Sequence, residues 1–282
     1  MLFGFDFIKG SGNVQSRDYE LKGFRSVKLA GVGSLKVDQT GEESVRIEAD
    51  DNLFEYLRVE LRGSELYLGL EHRVNLRSPY TLKFFVTARD IDAIALSGSG
   101  YISTSGIQGE RLHLDLSGSG DLDAGPLAIR QDLSMRISGS GDAEFDTIQA
   151  DTIEMTISGS GKIRADEIKA RQIGYRISGS GDIRVRGIDT ESVETRVSGS
   201  GDVELKGRAA YQRLSISSAG SYKCENLQSE RADIEISGAG NARVDVKEKL
   251  DARISGSGTI QYRGKPIVVM SVSGAGKVKS LE

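Results

Sequence analysis

The sequence predicts an all-β chain: a single-stranded parallel β-helix, right-handed, built of short rungs that each carry an SGSG-type corner, with a period of about 20 residues. Three observations carry this reading. A four-residue Ser/Gly unit recurs ten times at a nearly constant interval, beginning at Ser97, Ser117, Ser138, Ser158, Ser178, Ser198, Ser217, Ser237, Ser255 and Ser273. Apolar and polar residues alternate on both sides of each unit, as in a strand with one buried face. The chain holds 35 Gly, 19 of them in these units, against 3 Pro and no Trp, which fits many turns around an aliphatic core.

Residues 1–96 are read as irregular opening rungs and an N-terminal cap, continuous with a regular helix over 97–282; a separate small β-domain is the competing reading. Gly10-Ser11-Gly12-Asn13-Val14 and Gly31-Val32-Gly33-Ser34-Leu35 look like degenerate copies of the corner, one period apart. Strand-like runs follow at 44–49, 57–62, 65–70 and 80–87.

From Ser97 onward one repeat reads as strand, corner, strand and a looser second corner. Ile153, Met155 and Ile157 alternate with Glu154 and Thr156 before one corner, and Ile163 and Ala165 alternate with Arg164 after it. Ile168 and Ile173 close the period across a polar bend holding Ala170. A circuit of this length suits one turn of a solenoid whose rungs stack ~4.8 Å apart. Propeller blades need about twice the period, and an antiparallel meander would not return the same corner at the same phase. Right-handed winding follows from the crossover rule.

A net charge of −4, with no long basic run, provides no field for gathering phosphate backbones, so nucleic acid is not an expected partner. Cys224, the one cysteine, has no mate for a disulfide and falls on the inward phase. No apolar run is long enough for a transmembrane segment. The opening MLFGFDFIKG lacks a basic leader and a small-residue cleavage site, so no signal peptide is read in this chain.

The Ser/Gly units invite a phosphate-loop reading, but such loops feed a helix N-terminus and carry a Lys-Ser/Thr pair or a three-glycine fingerprint. Here a strand follows each corner. Asp121, Asp142, Asp182 and Asp202 each follow a corner directly, and Asp182 with Asp202, on adjacent rungs, is the candidate pair for calcium. The same column also holds Lys162, Ser221, Asn241, Thr259 and Lys277, the composition of a solvated edge, and no metal or other cofactor is expected. The outward charges Arg164, Arg176, Arg184, Glu194 and Arg196 are spread over the faces with no inserted loop to wall a cleft, so no catalytic residue is assigned. His72 and His113 lack partners at ligand spacing. Tyr175 and Tyr222 fall on inward positions, whereas Tyr101, Tyr211 and Tyr262 fall outside and form no row for glycan stacking.

The opening Ser and closing Gly occur in all ten units, while the third position becomes Ala in three. Ser178, Gly181, Ser198 and Gly201 are therefore read as structural corners. Gly181 is expected to need φ > 0, and Ser178 to satisfy backbone groups with its hydroxyl.

The opening Gly10-Ser11-Gly12-Asn13-Val14, the stretch Arg46-Ile47-Glu48-Ala49-Asp50-Asp51-Asn52-Leu53, the ladder of SGSG-Asp corners and the ending Arg263-Gly264-Lys265-Pro266 before Ser271-Val272-Ser273-Gly274 together resemble the head GIN domain family. This is a bacterial family of unknown function described as an auto-transporter adhesin. The resemblance implies a single-chain β-helix exported to the cell surface, outer membrane or periplasm. The chain itself carries no translocator barrel or lipid-anchor signal after its last rung. The expected function is a non-enzymatic binding scaffold presenting flat faces to a surface, glycan or protein ligand, compatible with a homo-oligomer. A polysaccharide-acting enzyme and a purely structural assembly module are the alternatives.

Overall fold

The computed structural model describes residues 6–72 and 74–281; residues 1–5, Arg73 and Glu282 lie outside the described residues, and with them half of the N-terminal stretch weighed above as a leader. Among the described residues no helix is long and apolar enough to cross a membrane. The opening region contains β1 (Asp6–Lys9), β2 (Val14–Tyr19), β3 (Ser26–Gly31), β4 (Ser34–Gln39) and β5 (Ser44–Asp50). A 3-10 helix at Asp51–Tyr56 leads to β6 (Leu57–Arg62), β7 (Glu65–Leu70), β8 (Val74–Arg77) and β9 (Leu82–Ala88). The repeats then supply β10 (Ala93–Gly98), β11 (Tyr101–Thr104), β12 (Ile107–Gly118), β13 (Asp121–Ala124), β14 (Leu127–Ile137), β15 (Asp142–Ile157) and β16 (Lys162–Ile177). They continue as β17 (Asp182–Val197), β18 (Asp202–Ile216), β19 (Ser221–Ile236), β20 (Asn241–Gly256), β21 (Thr259–Arg263), β22 (Ile267–Gly274) and β23 (Lys277–Ser280).

These strands stack in parallel as a β-solenoid of about 9 turns, with 73% of the chain in strands. Alternation is the cause, since each rung can bury one face only by laying it over the same face of the next. The register is one repeat per step: Ile157 pairs with Ile177, Ile177 with Val197, Val197 with Ile216, and Ile216 with Ile236. Aliphatic side chains fill most of the interior, and the two buried tyrosines sit beside smaller neighbours, Tyr175 against Thr195 and Tyr222 against Ala242. Both tyrosines are 1% exposed. The looser corner does not interrupt the strands, although the pairing slips there between β14 and β15 and between β19 and β20. β15 to β20 run through it as single elements of 15 or 16 residues, and only the Ser/Gly corner breaks them.

Among the described residues of the opening region, parallel and antiparallel pairings occur side by side. β3 and β4 flank the Gly31–Ser34 corner and pair in parallel with β10 and β11, Gly31 opposite Gly98, so this copy of the corner is a true rung. The copy at Gly10–Asn13 is not, because β2 runs antiparallel to β5. Its residues instead clasp the turn at Asp50–Asn52. The Gly12 N–H donates to Asp50 Oδ1 (2.8 Å), the Ser11 N–H to Asn52 Oδ1 (3.0 Å) and Asn13 Nδ2 to Asp51 Oδ2 (2.8 Å). Asp50, 2% exposed, also accepts from the Thr81 N–H at 2.7 Å. The buried carboxylate thus satisfies two amides, at Gly12 and Thr81, that lie beyond the ends of the β2–β5 and β5–β9 ladders.

The corner residues differ from expectation in their physics. Gly181 is not among the glycines with positive φ. It must be glycine because a side chain there would run into the Gly161 carbonyl oxygen and lie 2.6 Å from Ile157 Cγ2. Gly201 stands in the same relation to Gly181 O and, at 2.8 Å, Ile177 Cγ2. Rungs stacked backbone on backbone leave no room for a Cβ at this point. Ser178 makes its rung contact through its amide, which donates to Ile157 O at 2.9 Å, and its side chain is exposed. At Ser198 the amide donates to Ile177 O at 2.9 Å and the hydroxyl reaches the same oxygen only at 3.4 Å.

One interior position breaks the aliphatic pattern for a reason of length. The step from Ser237 to Ser255 is shorter than the step from Ser217 to Ser237, and β19 and β20 accordingly lose register between Cys224 and Gln228, leaving Glu225, Asn226 and Leu227 without ladder partners in β20. Gln212, fully buried, donates its Nε2 to Leu227 O (3.1 Å) and accepts from the Tyr222 hydroxyl at Oε1 (2.9 Å). Arg263 covers Glu225 O at 3.1 Å. Two side chains thus replace backbone donors removed by the shorter rung.

Candidate functional site

The surface available for chemistry consists of the outward positions of the rungs, which the pleat sets in straight columns. After the Ser/Gly corner one column runs Asp123, Glu144, Arg164, Arg184, Glu204, Lys223, Arg243. Before the corner another runs Arg136, Thr156, Arg176, Arg196, Ser215, Glu235, Arg253. Most of these charges are engaged by close neighbours. Arg164 bridges Asp142 (3.3 Å) and Glu144 (2.8 Å), Arg176 meets Glu154 (3.2 Å), and Arg196 meets Glu194 (2.5 Å). Such exposed pairs contribute little stability singly, ~0–1 kcal/mol each. Their effect here is to spread alternating charge over a flat face.

A shallow trench runs along the looser corner. Its floor is a column of small buried residues, Ala150, Ala170, Thr190, Ala209 and Ser229, one per rung. It has a volume of about 540 Å³ and adjoins a second depression of about 680 Å³ that shares Gln149 and Ala150 and extends to Ile129 and Glu110. Along its rims Arg171 holds Asp151 at 2.9 Å and Arg208 holds Asp189 at 3.2 Å. The Arg171 guanidinium keeps the Asp151 carboxyl below the usual carboxylate range. The trench escaped the sequence reading, although one signal was present, the small residue recurring between apolar pairs such as Ile168 and Ile173.

The structure places Asp182 and Asp202 on adjacent rungs and gives them a structural task. Asp182 Oδ1 accepts the Asp202 N–H at 3.3 Å, as Asp142 accepts that of Lys162 (3.0 Å) and Asp121 that of Asp142 (2.8 Å). Asp202 is engaged in turn by Lys223 Nζ at 2.5 Å. Among the described residues no group of three or more His, Cys, Asp or Glu is placed to hold a metal ion. His113 lies outward with Nδ1 2.8 Å from Ser134 Oγ, and His72 is exposed. Cys224 is fully buried, and burial pushes its thiol well above the ordinary range, as it does the Tyr175 and Tyr222 phenols. Enclosed in the core, none of the three lies on the surface columns described above. Tyr101, at 42% exposed, donates to Asp123 Oδ2 at 3.2 Å, an isolated contact rather than part of an aromatic row.

Comparison with known proteins agrees with this geometry. A family model described as "putative auto-transporter adhesin, head GIN domain" matches residues 23–187 and 166–266. A putative adhesin of Parabacteroides merdae is similar in structure over 98% of this chain and all of its own, with a TM-score of 0.61 at 19% identity. A putative adhesin of Parabacteroides distasonis has a TM-score of 0.59 at 19% identity, and a protein of the same organism titled putative lipid binding protein has 0.58 at 22%, each over 98% of this chain and all of its own. At these identities the likeness establishes a shared fold. No curated protein matches the sequence. With the matched segments spanning most of the solenoid and much of the opening region, the chain belongs to the head GIN domain family.

Proposed function

We propose that the chain is a non-enzymatic binding scaffold, exported to the cell surface, outer membrane or periplasm, that offers its flat faces and the trench between them to a surface, glycan or protein. The observation that carries this reading is the set of outward columns: from Asp121 to Arg263 no inserted loop interrupts them, and a polar side chain recurs at every rung, ~4.8 Å apart. A ligand that spans several rungs collects many weak contacts, which is how an elongated scaffold gains affinity without a deep pocket. The adhesin description of the family supports the same reading and the exported location. In this reading residues 1–96 are the opening rung and cap of the helix whose regular part is 97–282. Engagement of the outward acids and bases in ion pairs, with Cys224 buried, argues against acid-base or nucleophilic chemistry.

The test is an array of glycans and matrix proteins probed with the purified chain, run beside a polysaccharide-degradation panel. Retention on the array, weakened by charge reversal at Arg184 and Arg243, is expected. Degradation of any polysaccharide at appreciable rate would overturn the non-enzymatic reading, and absence of retention on every surface would overturn the binding role.

A further inference from the structure

The trench along the looser corner joins a carbon floor to polar walls. Its two floor hydroxyls are committed to the backbone: Thr190 Oγ1 lies 3.1 Å from both Arg171 O and Ser192 O, and Ser229 Oγ donates to Asp245 O at 2.9 Å. The rungs cross the trench, so their N–H and C=O groups point along the axis into the ladder that pairs Ala150 with Ala170 and Ala170 with Thr190. The floor therefore offers carbon rather than hydrogen-bonding groups. The walls are different. Gln149, Lys169 and Gln228 stand along one side and Glu230 on the other, all exposed, and among the described residues none of the four has a side-chain hydrogen bond or ion pair. From Ala150 to Ser229 the floor runs four steps of ~4.8 Å, roughly 19 Å.

We infer that the trench holds a neutral, unbranched polysaccharide of equatorially linked hexopyranose residues. The inference rests on the binding-scaffold reading above and names the ligand of its trench. A pyranose ring with equatorial hydroxyls carries C–H groups on its two faces and hydroxyls around its rim. Laid flat, it meets carbon below and the walls at its edges, where the Lys169 ammonium donates, the Glu230 carboxylate accepts and the Gln149 and Gln228 amides do both. Equatorial linkage keeps such a chain straight and advances it by about one rung per residue, so successive rings meet the same surroundings and their weak contacts add. An anionic chain is the poorer occupant, because basic and acidic side chains line the trench and the adjoining depression in near-equal number. A polypeptide is poorer too. It binds a sheet through main-chain hydrogen bonds to a free edge, whereas here the ladder has taken the backbone groups beneath it, and amides covered without partners weaken binding.

The experiment is electrophoresis of the full chain in native gels containing glucomannan, whose chain is neutral and equatorially linked, pullulan, whose axial links make it coil, polygalacturonate, which is anionic, or gelatin, a polypeptide. Retardation by glucomannan alone is expected. Lys169→Ala and Gln228→Ala, each at an exposed wall position, are expected to weaken it about two- to tenfold, the loss of one hydrogen bond, with the melting temperature of the parent. No retardation by glucomannan, equal retardation by pullulan or polygalacturonate, or wall variants without effect would overturn the inference. Retardation by gelatin in place of glucomannan would overturn it too, assigning the trench to a polypeptide. Retention on the glycan and matrix-protein array without retardation by glucomannan would remove this ligand and leave the scaffold reading standing, so the two fail separately.

Discussion

Replacing Gln212 by Leu tests the argument about the shortened rung. The two side chains are close in volume, so no cavity forms, and the loss is confined to hydrogen bonds. Leu227 O loses its donor at 3.1 Å and the Tyr222 hydroxyl loses its acceptor at 2.9 Å, both fully enclosed. Each stranded polar group costs ~1–3 kcal/mol, which a small apolar gain from leucine offsets only in part. The expected loss is ~2–4 kcal/mol, or roughly 5–10 °C in melting temperature for a chain of this size. Tyr222→Phe strands Gln212 Oε1 and is expected to cost ~1–2 kcal/mol. Because both single variants break the same Tyr222–Gln212 bond, the double variant should cost ~1 kcal/mol less than their sum. Denaturant titration followed by far-ultraviolet circular dichroism provides all four stabilities. A Gln212→Leu protein as stable as the parent, or strictly additive variants, would refute the view that Gln212 replaces a lost ladder donor.

Three further outcomes are expected. Gly181→Val should destabilise the fold strongly, by at least ~3 kcal/mol, through collision with Gly161 O and Ile157 Cγ2, while Ser180→Ala, outside the core, should be near neutral; an unmoved melting temperature for Gly181→Val would count against rung stacking as the cause. Lys277→Val with Lys279→Val removes two charges from β23, which among the described residues pairs on one side only, with β21, and should promote aggregation, read by light scattering; unchanged solution behaviour would deny them that role. Asp18, Asp51, Asp151 and Asp251 have carboxyls held below the usual range, chiefly by Arg46, by Ser11, by Arg171 and by Lys249 respectively. Lowered native values mean that their stabilisation is full above the unfolded carboxylate pKa, ~3.9, and is lost as pH falls through the native ones, so acid weakening should begin only below about pH 4. Weakening that sets in near pH 6 would show that other groups govern the acid limb.

The sequence by itself determined the rungs. Alternation such as Ile153, Met155, Ile157 is a local pattern that only one-faced burial satisfies, and its return at a constant interval leaves stacking as the means of burying every face at once. Inward Cys224, Tyr175 and Tyr222 and outward His113 followed from phase alone. What only the tertiary structure decided depends on the offset between rungs. Gly181 looked like a turn glycine, yet its constraint comes from Gly161, one circuit earlier, which no local pattern reveals. Gly10–Asn13 looked like a corner until its contact with Asp50–Asn52, far along the chain, made it a clasp. The candidate calcium pair Asp182 and Asp202 and the outward residues Arg164, Arg176 and Arg196 were legible by phase, but their partners were not, because a bulge or a slightly shortened rung changes which side chains face each other. Gln212 shows the limit most plainly: its need arises from a deficit of length in the following rungs, and the stacking distance of a parallel ladder turns that deficit into a buried carbonyl that some side chain must satisfy.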